Sequence, residues 1–245
     1  MATVGERTET SSAAGQLATE QEAVRDRGRK RSGMEVPRVF STEGLSPFDQ
    51  IEWESRTAEI KDERGRAIFQ QTDCEIPRGW SQLATNVVAS KYFYGDVAGG
   101  NGSPREGKRE FSVRQLVDRV TRTIADWGKA DGYFATGEDA ERFYDELTSL
   151  CLNQFGSFNS PVWFNVGLYH HYGIAGPANN WRWDEDTRNV VPATSAYETP
   201  QASACFIQSV SDDMEGIMRL AHSEAMLFKF GSGTGSDLSS LRSSR

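Results

Sequence analysis

Three cysteines and three histidines in 245 residues leave little material for two common kinds of site. Cys74, Cys151 and Cys205 are too scattered, and odd in number, for a disulfide scaffold, and no Cys-x-x-Cys pair joins any two of them. His170, His171 and His222 show none of the ligand spacing of a zinc site, which takes four donors at recognisable intervals. They read as ordinary loop and helix-surface histidines. No apolar run approaches the ~20 residues of a membrane span, and the opening MATVGERTETSSAAGQ lacks the apolar core of a secretory signal. Excess positive charge is missing as well: 27 Lys and Arg against 35 Asp and Glu leave −8, which disfavours a dedicated nucleic-acid binder. The expectation is a soluble cytoplasmic protein with reduced thiols.

What is present argues for a packed core. Apolar residues make up 37% of the chain, and 13 Phe, 6 Trp and 7 Tyr are too many for global disorder. Residues 1–36 are the exception: Ser, Thr, Gly, Glu and Arg with almost nothing to bury, read as a disordered tail. Its basic cluster Arg25–Arg31 is balanced by acids nearby and reads as solvated, with a nucleic-acid or acidic-partner contact as the alternative.

The segment 37–155 reads as mainly helical. PFDQIEWESRTAEI and AIFQQTDCEIPRGW suggest short strands or helices. VVASKYFYGD carries β-branched and aromatic residues, and VAGGNGSPREGKRE after it is a surface loop. Val113, Leu116, Val117, Val120, Ile124 and Trp127 recur at helical spacing, with Ser112 to cap the helix and Gly128 to end it. A second helix places Phe143, Leu147, Leu150, Cys151 and Phe155 on one face, so Cys151 belongs to the core; Cys74, without a partner, reads as inert. Phe155–Gly173 reads as a turn, an extended apolar strand and a loop, and Pro177–Gln201 as an irregular excursion or a hairpin. Then come a strand, ASACFIQSV, and a helix striped with Met214, Ile217, Met218, Ala221, Ala225 and Phe228. Asp212 and Glu215 suit the start of that helix. Strand, helix and glycine turn follow α/β grammar.

Two features carry the chemistry. GSGTGS at 231–236 has no lysine for a phosphate loop and follows a helix rather than opening one. Gly231 could act as a left-handed helix stop, yet three alternating glycines exceed that need and would let backbone approach a ligand. A structural turn and a ligand-facing turn both stand. Cys205 is equally open: small neighbours (Ala202, Ser203, Ala204) leave room beside its sulfur, but a reactive thiol also needs access, and a small core residue fits the same letters.

Taken together, FNSPVWFNVGL, the run from Asn179 to Gln201, and QASACFIQSVSDDMEGIMRLAHSEAMLFKFGSGTGSDLSSLRSS resemble the N-terminal part of the adenosylcobalamin-dependent, class II ribonucleotide reductases. The resemblance covers roughly Val36 to Arg245. It implies an α/β chain in which a helix-rich N-terminal region precedes residues 156–245, the first strands of an incomplete ten-stranded α/β barrel. It implies an enzyme of the ribonucleoside-diphosphate reductase (thioredoxin-disulfide acceptor) kind, making 2′-deoxyribonucleotides for DNA synthesis, with diphosphate or triphosphate substrate left open. In that family cobalt–carbon homolysis yields a cysteine thiyl radical that takes the ribose 3′-hydrogen. Two further cysteines become a disulfide, which a thioredoxin-like donor re-reduces. By the same resemblance Cys205 is the first of that reducing pair, Ser160 a substrate-contacting hydroxyl, Ala204 and Cys205 a substrate-contacting pair, and Gly233 a glycine bordering the nucleotide. Cobalamin is bound in the family mainly by parts not matched here, and a homodimer is compatible with it.

The thiyl cysteine, the second reducing cysteine and the phosphate-binding segment have no match in this sequence. The expectation is therefore a fragment or one half of a split enzyme, inactive without a C-terminal catalytic portion and poorly soluble alone. The rival readings are a non-catalytic regulatory or interaction module and a stand-alone nucleotide-binding domain.

Overall fold

The fold is seen in a computed structural model that describes residues 33–178, 180–229 and 232–243. The sequence readings of the tail at 1–32, of its basic cluster and of Gly231 fall outside those residues.

A long antiparallel hairpin comes first, β1 (Trp53–Lys61) paired with β2 (Ala67–Pro77). Asp62 closes its turn by accepting the amides of Arg64 and Arg66, both at 2.9 Å, and Gly65 takes the left-handed conformation the turn requires, at φ 77. The hairpin's inward face carries Ala58, Cys74 and Ile76, all fully buried. Against it pack α1 (Gln82–Lys91) and α2 (Val113–Ala130), and α3 (Gly137–Leu152) packs on α2. The α2 stripe at 113, 116, 117 and 120 forms the centre of this core, and Ser112 caps the helix in a capping box with Gln115. Cys151 on α3 is buried as expected.

Several readings are corrected. VVASKYFYGD, left unassigned by its mix of β-branched and aromatic residues, begins inside a helix that Ser81 caps and that runs to Lys91, because Thr85, Val88 and Ala89 bury at helical spacing. Gly128 does not end α2, which runs on to Ala130; it is glycine because a Cβ there would lie 2.8 Å from the ring of Phe134. The apolar strand expected within 155–173 is instead α4 (Ser160–Asn165) and α5 (Leu168–Tyr172). Asn159 caps α4, Pro161 suits its first turn, and Val162, Trp163 and Val166 face the core at helical rather than alternating spacing. Gly167, at φ 85, separates the two helices.

A buried ion pair holds these short helices. Arg119 on α2 and Glu110 are both wholly inaccessible and meet at 2.7 Å. The guanidinium also donates to the carbonyls of Trp163 (2.8 Å) and Val166 (2.7 Å), the C-terminal end of α4, where a cation is favoured. Glu110 in turn accepts the Tyr94 amide and the Tyr172 hydroxyl, each at 2.8 Å.

Beyond this core, β3 (Trp181–Asp184) and β4 (Asn189–Pro192) form a hairpin, and β5 (Cys205–Ser209), α6 (Met214–Lys229) and β6 (Gly233–Asp237) form a parallel β-α-β unit. Asp213, not Asp212, caps α6, accepting the Gly216 amide at 2.7 Å; Asp212 pairs with Arg242 instead. No residue of α6 is buried. Among the described residues the strands form three two-stranded sheets and no closed barrel, so the observed class is mixed helix and strand with one parallel unit. No helix among them is long and apolar enough to cross a membrane.

Candidate functional site around Cys205

Cys205 opens β5, and its thiol is exposed, whereas Cys74 and Cys151 are buried. Burial pushes the Cys74 thiol up to about 11 and the Cys151 thiol up to about 12, so both stay protonated and shielded at neutral pH. Of the three sulfurs, Cys205 alone is placed to meet a solute.

Its neighbourhood is set by strand pairing. Cys205 lies opposite Gly233, and Ile207 opposite Gly235, in the parallel β5–β6 ladder. The Gly233 amide donates to the Ala204 carbonyl at 2.7 Å. A Cβ on Gly233 would sit 3.4 Å from Sγ of Cys205 and 3.7 Å from the Ala204 oxygen. Residues 233–237 are thus a strand rather than the glycine turn read from the sequence. These glycines serve lateral space, not unusual φ: neither Gly233 nor Gly235 has a positive φ. The missing side chains keep one flank of the thiol open. Across the sheet, Gln208 donates its side-chain amide to the Thr234 hydroxyl at 2.9 Å, and Ser236 bonds Glu224 of α6.

Ser160 reaches the same region by a different route. It is the first residue of α4, half-buried, with its hydroxyl 3.1 Å from the Tyr92 hydroxyl. The preceding residue, Asn159, caps α4 through its side-chain oxygen (3.3 Å to the Val162 amide) and donates from its side-chain nitrogen to the Ala202 carbonyl at 3.0 Å. At the far end of α4, Asn165 donates to the Gln201 carbonyl, also at 3.0 Å. The structure therefore brings Ala204, Cys205 and Gly233 together directly, and ties Ser160 to them through the segment 201–204. Asn159, Asn165 and Tyr92 were not singled out by sequence reasoning. The local signal for Asn159 is an Asn directly before Ser-Pro, a pattern that opens helices and that the strand reading of this stretch passed over.

The histidines lie elsewhere. His170 bonds the Glu198 carbonyl at 3.0 Å and meets Trp127 edge-on; burial lowers the pKa of His171, favouring its neutral form. Among the described residues no group of three His, Cys, Asp or Glu side chains surrounds a common point. A cleft of about 820 Å³ with a mixed lining runs past Phe69, Tyr94, Asp96, Lys108 and Arg109. An apolar one of about 400 Å³ is walled by Trp80, Tyr92, Cys151 and Trp163. Neither is lined by Cys205 or Gly233. The residues beside the thiol do not build a corrin pocket.

A family described as class II vitamin B12-dependent ribonucleotide reductase matches residues 54–154, and the barrel domain of ribonucleotide reductases matches 203–245. A vitamin B12-dependent ribonucleotide reductase of Rhodopirellula baltica is 59% identical over 88% of this chain. Enzymes of the same name from Bradyrhizobium diazoefficiens and Agrobacterium fabrum are 38% and 40% identical over 85% of it. In each case the match takes in about a fifth of the relative, 20% for the first and 19% for the other two.

Proposed function

Since this chain belongs to the class II vitamin B12-dependent ribonucleotide reductases, we propose that its Cys205 region forms one wall of a ribonucleotide site and that Cys205 is one of two thiols reducing the ribose. The observation that carries this reading is the pairing of an exposed cysteine with a glycine whose absent side chain leaves the sulfur's flank open.

Removing the 2′-hydroxyl as water takes two electrons and two protons. Two thiols supply both on closing a disulfide, and a thioredoxin-like dithiol restores them by exchange. In this reading Ser160 and the Ala204 backbone contact the nucleotide, and Gly233 lets its backbone border the sugar. Thiyl-radical initiation and adenosylcobalamin belong to the whole enzyme, of which this chain spans about a fifth (20% of the Rhodopirellula baltica relative). The second thiol is neither Cys74 nor Cys151, since both are buried, so it comes from polypeptide outside this sequence. We assign 156–245 to the start of the catalytic barrel and 37–155 to the region before it, in a cytoplasmic enzyme. The 245-residue chain alone is then inactive.

The test is complementation. With the remaining reductase polypeptide, adenosylcobalamin, a dithiol reductant and a ribonucleotide, deoxyribonucleotide should form with wild-type chain and not with Cys205→Ser. Equal turnover by that variant overturns the assignment. Loss of all turnover despite complementation, with intact nucleotide binding, favours a non-catalytic module.

A further inference from the structure

We infer that Asn159 is a positioning residue that sets the distance between the Ser160 hydroxyl and the Cys205 thiol, with Asn165 as its second point of attachment. This rests on the ribonucleotide reading above and adds to it a pair of side chains that touch neither substrate nor sulfur.

Both functional groups sit on short, separately held segments. Ser160 is on a six-residue helix fixed from below by Arg119, which holds the carbonyls of Trp163 and Val166. Cys205 follows residues 201–204, which have no regular structure and are largely exposed. Little core packing acts on that lead-in, because β5, α6 and β6 contribute nothing to the main buried cluster. Its attachments are polar. Asn159 and Asn165, at the two ends of α4, donate to the consecutive carbonyls of Ala202 and Gln201, and the Gly233 amide holds Ala204.

Asn159 is suited to this by having both kinds of polar atom. Its oxygen accepts the Val162 amide and caps the helix that begins with Ser160, while its nitrogen donates to Ala202. One planar amide therefore joins the start of the serine's helix to the approach of the cysteine's strand. Aspartate would keep the cap and lose the donor, setting a carboxylate against a carbonyl oxygen. Serine would keep a cap and be too short to span the gap. A thiol acting on a bound sugar is sensitive to such a change, since a displacement of about 1 Å can cost on the order of a hundredfold in rate.

The experiment uses the complete reductase with Asn159→Asp, Asn159→Ser and Asn165→Ala, beside Cys205→Ala. Positioning predicts that both Asn159 variants retain the melting temperature and a near-wild-type KM while kcat falls by about tenfold or more, with a smaller fall for Asn165→Ala. A second readout needs no turnover. Ribonucleotide should slow iodoacetamide labelling of Cys205 in wild type, and should protect the Asn159 variants poorly at saturating nucleotide. Wild-type kcat and full protection in both Asn159 variants, with Cys205→Ala inactive, overturn the inference and leave the functional reading standing. Wild-type turnover by Cys205→Ala instead removes the functional reading, and the inference with it.

Discussion

Gly233 faces Cys205 across the parallel ladder, and a methyl group on its Cα would rest 3.4 Å from the sulfur. That separation is ordinary van der Waals contact, so the fold can accept the methyl while the space beside the thiol cannot stay open. Gly233→Ala should therefore keep its melting temperature to within a few degrees, label more slowly with iodoacetamide at Cys205 and lose turnover in the complemented enzyme. At Gly235 the added carbon would come within 3.0 Å of the Ile207 Cδ1, the tip of an exposed and movable side chain, so Gly235→Ala should be milder. Equal labelling rates for wild type and Gly233→Ala would show that the flank is not the route to the sulfur.

The three thiols should separate cleanly in native alkylation. Cys205 is exposed, whereas burial raises Cys74 to about 11 and Cys151 to about 12 and also blocks access. Mass spectrometry after brief treatment at pH 8 should find one modified cysteine, in the peptide containing Ala204, and three once urea is present.

The Glu110–Arg119 pair should be costly to break from one side. Arg119→Met leaves a wholly buried carboxylate without its cation and the carbonyls of Trp163 and Val166 without a donor. Urea unfolding should show a loss of about 3–5 kcal/mol. Because the same guanidinium steadies α4, turnover should fall further than the loss of folded protein explains.

Acid sensitivity should be traceable in part to Glu146. Burial pushes its carboxyl up, but the Ser41 hydroxyl (2.5 Å) and the amides of Phe40 and Ser41 (both 2.8 Å) more than offset this, so the net shift is below the usual 4.5. A lowered native pKa gives stability that is present above the unfolded value and lost as pH falls through the folded one. The melting temperature of wild type should therefore drop on acidification below about pH 4.5, and Glu146→Gln should start lower at pH 7 and fall less steeply. Parallel curves would assign the acid loss to other carboxylates.

The uncovered β-α-β unit should govern solubility. Ile207 is 82% exposed, and Met218 and Phe228 are each 60% exposed. Large apolar side chains this exposed favour association, so light scattering from the isolated chain should rise with concentration, and Ile207→Lys with Phe228→Lys should suppress it.

How far the sequence reaches depends on the range of the forces concerned. The α2 helix was legible because its stripe and the Ser112 cap are local, spanning a few turns of one segment. The stretch 155–173 was misread because Val162 and Trp163 fit a strand as well as a helix until Arg119, a distant residue, gathers the end of α4. Gly128 resembled a helix stop because the Phe134 ring that demands a glycine there is invisible in the pattern of α2.

The Cys205 region divides the same way. Sequence alone determined the family, the helices α2 and α3 and the identity of a lone cysteine among small residues, since residue types and local spacing are written in order along the chain. Tertiary structure decided that the thiol is exposed, that Gly233 rather than a bulkier neighbour lies beside it, and that Asn159 links Ser160 to its approach. Those are contacts between segments far apart in the chain. Their existence depends on the folding of everything between, which no local pattern encodes.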